Sequence, residues 1–181
     1  MEVDVILLIV MAAGFLLGVL RGAIRQLIVL GACLVTFILA AYLRPMVGEW
    51  IAANTVNYSL EHVEMLAFAL TFLVLFTLAV LVIEIGGKTI QLTQRVAVDE
   101  ILGGFLALGV TILAIASLAI IFDSYYAVGP PLANAELDIA RELNAAFARS
   151  AIVTAMHDSL IPGLTALLGP VLPADIRAVY P

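Results

Sequence analysis

In Gly14-Phe15-Leu16-Leu17-Gly18-Val19-Leu20-Arg21-Gly22-Ala23-Ile24-Arg25 an apolar helix ends at two arginines and another begins at once, so the direction of every later segment follows from this turn. Gly14, Gly18 and Gly22 recur every fourth position, and on a helix that spacing makes a flat stripe on which a second backbone can lie closely. Gly14 and Gly18 read as packing positions. Gly22 follows Arg21 and precedes a new apolar run, so it reads as the cap glycine that ends the first helix in the left-handed conformation. Arg21 favours the C-terminal end of the first helix dipole and marks a membrane surface, whereas Arg25 opens the second helix, where the dipole opposes a cation. Lipid phosphate or a carboxylate must compensate it.

Outward from this joint, the preceding run from Val3 to Leu20 carries Asp4 at its start and lacks the positive n-region of a cleavable signal, so it reads as a retained span. At about 1.5 Å per residue it reaches roughly 27 Å, close to the hydrocarbon thickness of a bilayer. The following run, Gln26 to Leu43, comes after a gap that admits only an antiparallel helical hairpin. Arg44-Pro45 is expected to stop it, and Ala32, Thr36 and Ala40 offer a narrow face, beside Gly31, for packing against the first helix. Val47, Trp50 and Ile51 then share the face of a short interfacial helix.

Ser59 reads as an N-cap, with Glu61 behind it, for a third run from Met65 to Ile85 that holds Glu84 near its end. Gly86-Gly87 is expected to break that helix, and Ile90, Thr93 and Val96 to line a short surface helix. The fourth run, Ile101 to Phe122, opens with Asp99-Glu100, carries Gly103, Ala107 and Thr111 on one small-residue stripe, and closes at Asp123. Asp99 serves as N-cap of that helix, as partner of an arginine, or as both. Residues 1–123 are therefore read as an all-α bundle of four transmembrane helices, and residues 124–181 as an extracytoplasmic tail. Its amphipathic helix, near 134–150, turns Leu137, Ala140, Leu143 and Phe147 to lipid, to the bundle or to a partner. Pro162, Gly163, Gly169, Pro170 and Pro173 are expected to break every later stretch long enough to be a fifth span.

The whole composition agrees with a membrane protein: 64% of the 181 residues are hydrophobic, 12% are charged, and the mean hydropathy is +1.18. A net charge of −6 with eight scattered Lys and Arg argues against a nucleic-acid partner. Cys33, the single cysteine, reads as a small buried hydrophobe. Short connections on one side hold Arg21, Arg25, Lys88 and Arg95, those on the other only Arg44, which makes the first side cytoplasmic and leaves both termini outside. The belt residues Tyr42, Trp50, Tyr58, Tyr125 and Tyr126 all fall on the outer side under this topology.

Arg21, Arg25, Glu84 and Asp99 share the cytoplasmic edge and are expected to form one charge cluster that locks the first hairpin to the second. No residue set suits catalysis, a cofactor or a metal: His157-Asp158-Ser159 are consecutive, and helical neighbours point apart rather than at one another. The chain is not expected to be an enzyme. Mid-span polarity is confined to Thr36, Thr71, Thr77, Thr111 and Ser117, so a channel or transporter would need an oligomer.

Asp4 in Val-Asp-Val-Ile, Gly14 and Gly18, Arg21-Gly22, Arg25, and the later Val98-Asp99-Glu100-Ile101-Leu102-Gly103 together resemble the colicin V production protein family, across roughly Val3 to Phe122. Gln26 departs from it, standing where the family often has an acidic residue. The resemblance implies a four-span bacterial inner-membrane protein with no established catalytic activity, linked to toxin production or export and to envelope maintenance. In some relatives a similar bundle tethers an extracytoplasmic serine protease. The partners expected are the bilayer, a second copy, and a membrane or extracytoplasmic protein.

Overall fold

The computed structural model describes residues 2–54, 60–89, 97–126, 142 and 145–172. Among them are five helices, α1 (Glu2–Arg21), α2 (Ala23–Asn54), α3 (Leu60–Thr89), α4 (Ala97–Tyr126) and α5 (Ala151–Leu168). The fold is an all-α polytopic membrane protein, and all five helices are long and apolar enough to cross a membrane, where four were expected. Ser59, the 90–96 connection, Leu137 and Leu143 lie outside the described residues, as does most of the tail helix expected near 134–150.

Three breaks expected from sequence are absent, and each has a physical reason. α2 runs through Pro45, and α5 through Pro162 and Gly163. Both prolines are exposed, so the helix can open slightly on a free face where only one backbone hydrogen bond is lost. In α5 the Thr165 hydroxyl donates to the Ile161 and Pro162 carbonyls just past that point, at 3.0 and 3.1 Å. α3 likewise continues through Gly86-Gly87 to Thr89, since glycine weakens a helix without removing a donor.

The helices pair in an order that sequence proximity did not suggest. α1 and α2 touch little beyond their joint at Gly22; α1 lies along α4, and α2 lies between α4 and α3. A one-residue link leaves no room for two helices to settle side by side at about 8–10 Å, so they splay. α4 fills the opening. Gly18 faces Ala107 and Gly22 faces Asp99, which makes α1 and α4 antiparallel. Phe37 meets Phe72, and Gly48 meets Glu64, so α2 and α3 are antiparallel as well. α2 and α4 start together at Ala23 and Asp99 and remain in contact, hence run parallel.

One core results. Cys33, Phe37, Ala40 and Ala41 of α2 bury against Phe68 and Phe72 of α3 and against Ala116, Ala119 and Ile120 of α4. The Phe37 ring stacks on Phe68 at 5.7 Å and meets Phe72 edge-on at 5.9 Å, and the Arg44 guanidinium lies 5.6 Å above Phe68. Thr36 and Ser117 are buried, and their hydroxyls donate to carbonyls of their own helices, so their polarity is satisfied locally.

α5 is held at both ends to the bundle end opposite Gly22. Ser150, its N-cap, donates from Oγ to the Asp4 carboxylate at 2.7 Å, and the Ile152 amide donates to the same oxygen at 3.3 Å. At the other end the Tyr42 hydroxyl donates to the Val171 carbonyl at 2.8 Å. Asp4 and Tyr42 stand at similar heights, about 27 and 30 Å along their helices from Gly22. A helix of about 27 Å tied at two points of equal height lies across the end of the bundle instead of running its length. Val153, Met156, Ile161 and Leu168 are the face it buries. Replacing Asp4 with alanine removes the acceptor of two donors at the start of α5. The expected result is faster amide exchange over residues 150–154 with exchange over 99–111 unchanged, measured by hydrogen–deuterium exchange on the purified chain.

Candidate functional site

The site is the joint itself, built from the ends of four helices. Gly22 takes φ +83°, a left-handed conformation that only glycine adopts cheaply. Its amide donates to the Gly18 carbonyl at 3.0 Å, and its own carbonyl accepts from Gln26 at 3.3 Å, so the chain turns with little loss of backbone pairing.

Asp99 stands in the first turn of α4, yet its carboxylate serves a different helix. Its Oδ1 accepts from the Ala23 amide at 3.1 Å and so caps the start of α2. Gly22 is in addition the residue over which this carboxylate passes, since a Cβ there would meet Asp99 Oδ2. The arginines turn elsewhere. Arg21 Nε donates to Glu84 Oε1 at 2.7 Å, and Arg25 Nη1 to Glu84 Oε2 at 3.4 Å, so one carboxylate of α3 receives cations from both sides of the turn. All three side chains are about a quarter to a third exposed, at 26–30%. Of the expected four-member cluster, Arg21, Arg25 and Glu84 are together, while Asp99 is joined to it through the backbone of Ala23.

Beneath the joint α1 and α4 approach closely enough that an added Cβ would clash. A Cβ on Gly14 would strike the Thr111 hydroxyl, and one on Gly18 would strike both the Ala107 methyl and the Gly103 carbonyl. From the other side, a Cβ on Gly103 would stand 2.7 and 2.9 Å from backbone atoms of Gly22. The two small-residue stripes therefore face each other, and the Thr111 hydroxyl donates to the Ala107 carbonyl at 2.9 Å, leaving the seam without an unpaired donor. Phe15 closes its edge against Phe105, at 5.6 Å and nearly perpendicular. Ala32, Thr36 and Ala40 form no part of the seam with α1. Thr36 and Ala40 are buried in the core on α2, and Ala32 is half-buried.

Two further contacts lie at the opposite end. Ser150 before an apolar run has the form of a readable N-cap, but its partner Asp4 is 146 positions away and no local signal links them. Phe147, read as part of a tail interface, is half-buried and packs its ring 5.8 Å from Phe122 of α4, so it binds the tail to the bundle. Between them lies a cavity of about 240 Å³, lined by Ala119, Phe122, Phe147, Val153, Thr154 and His157 among others. Among the described residues no group of three or more His, Cys, Asp or Glu could hold a metal ion.

A family model described as the colicin V production protein matches residues 3–161. The chain belongs to the colicin V production protein family. The matched region begins beside Asp4 and reaches Ile161 within α5, so it contains the Gly22 joint, the α1/α4 seam and the Asp4–Ser150 clasp. Membership in the colicin V production family supports a role in colicin V production. No curated protein and no solved structure matches the chain.

Proposed function

We propose that this member of the colicin V production family is an inner-membrane scaffold or accessory protein for toxin export and envelope maintenance, with its Arg21 end in the cytoplasm and its N-terminus and α5 outside. The observation that carries this reading is the α5 strap, fastened by Asp4 at one end and Tyr42 at the other across one end of the bundle. Thr154, Ala155, Asp158 and Ser159 are exposed on it, a small and polar surface suited to an extracytoplasmic protein. Orientation rests on the basic residues of the Arg21 end. Further support comes from the α1/α4 seam, where backbones touch and leave no path between the helices for a solute.

The test uses the full chain in cells and in vesicles. A photo-crosslinker at Ser159 is expected to trap a discrete membrane or extracytoplasmic protein, while one at the lipid-facing Leu8 traps none. Purified protein in liposomes is expected to conduct no ions or small solutes above empty vesicles. Measurable flux from the unmodified chain, with no protein captured from Ser159, would overturn the scaffold in favour of an oligomeric channel.

A further inference from the structure

The Arg21–Glu84–Arg25 triad carries two cations on one anion. Each guanidinium presents five N–H donors in a planar fork, and each uses one of them on Glu84. Among the described residues no other acidic group pairs with either arginine, because the neighbouring carboxylate, Asp99, is turned to the Ala23 amide. With Asp99 counted the four groups are formally neutral, so what remains open is most of two donor forks, on side chains 26–30% exposed.

The surroundings determine what anion fits. Leu20 and Ile24, on either side of the turn, and Ile85, next to Glu84, are each more than half exposed. Leu17, Ile28 and Leu81 continue the exposed apolar surface along α1, α2 and α3. The open guanidinium forks thus stand at the edge of a surface that lipid chains cover, at the depth of the headgroup phosphates. Bidentate pairing of a guanidinium with phosphate oxygens is the strongest contact available there.

We infer that Arg21 and Arg25 form a binding site for the phosphate of an anionic glycerophospholipid, whose acyl chains lie along Leu20, Ile24 and Ile85. Glu84 has two roles in it. It orients both forks, and its charge limits the affinity for an anion. The lipid then joins α1, α2 and α3 at the point where the chain turns through Gly22.

The full-length protein in a neutral detergent is titrated with phosphatidylglycerol, phosphatidylcholine or inorganic phosphate, and retained lipid is counted by native mass spectrometry. Phosphatidylglycerol is expected to bind at least about tenfold more tightly than phosphatidylcholine, and Arg25→Gln to weaken it about tenfold. Glu84→Gln separates this site from a plain ion pair. Both variants break the Arg25–Glu84 contact, but Glu84→Gln raises the net charge and is expected to tighten phosphatidylglycerol binding where Arg25→Gln loosens it. Equal weakening by the two variants, or equal binding of the two lipids, would overturn the proposal. Displacement of phosphatidylglycerol by millimolar inorganic phosphate, with no preference for the lipid, would reassign the arginines to a soluble phosphate and overturn the lipid site.

Discussion

Gly18→Leu is expected to unfold the α1/α4 pair, at a cost of about 3 kcal/mol or roughly a hundredfold in the folded fraction. A Cβ at Gly18 meets the Gly103 carbonyl and the Ala107 methyl, and the first of these is backbone. Side chains can rotate away from an added methyl, but a helix backbone moves only as a body. Relief therefore requires α1 to lift from α4 along the whole seam, which also separates Gly14 from Thr111 and Phe15 from Phe105. The loss is large because association inside a bilayer depends on close packing, with little hydrophobic drive to replace it. Gly31→Leu provides the contrast. No atom lies within 4 Å of a Cβ at Gly31, so the same change on α2 should be neutral or stabilising by about 0.5–1 kcal/mol through helix propensity. Denaturation by a graded mixture of sodium dodecyl sulfate and neutral detergent, followed by circular dichroism, reads both. Equal midpoints for Gly18→Leu and the unmodified chain would mean that the seam is not what holds α1.

Which features were legible in the sequence follows from the range of the forces behind them. Gly22 was readable because its signal is local: a cation, a glycine and a fresh apolar run in succession. Each small-residue stripe was also readable from spacing alone, since i to i+4 periodicity is a property of one helix. Their pairing was not. Nearest neighbours in sequence suggested α1 against α2, yet the single-residue turn that identifies Gly22 also splays those helices and brings α4 between them. Asp99 shows the same limit. Its capping chemistry was evident, but a carboxylate can cap any helix whose amides it reaches, and the helix it reaches is α2. Glu84 and its two arginines are legible together, because alternating spans bring the end of α3 to the same side as the Gly22 turn. Pro45 and Pro162 stand inside continuous helices, because the loss of one hydrogen bond on an exposed face does not end a helix that its other faces hold in place.

At Gly22 the backbone and the carboxylate make separate demands, and two substitutions distinguish them. Gly22→Ala must hold an L side chain at φ +83°, at about 1–2 kcal/mol, and its methyl also displaces Asp99 from the Ala23 amide, at about 1 kcal/mol more. Gly22→Asn tolerates the left-handed conformation far better, so mainly the displacement of Asp99 remains. Asp99→Ala removes the cap and at the same time clears the space above Gly22. In that background Gly22→Asn should cost almost nothing further, whereas Gly22→Ala should still cost its full conformational strain. The coupling between positions 22 and 99 is therefore expected to absorb most of the asparagine effect and only part of the alanine effect, as read from a double-mutant cycle on the same denaturation midpoint. Additive behaviour for both substitutions would show that a side chain at position 22 does not displace Asp99 from the Ala23 amide. Coupling for both, with no residual alanine cost, would show that the left-handed turn is unstrained and that the carboxylate alone requires glycine.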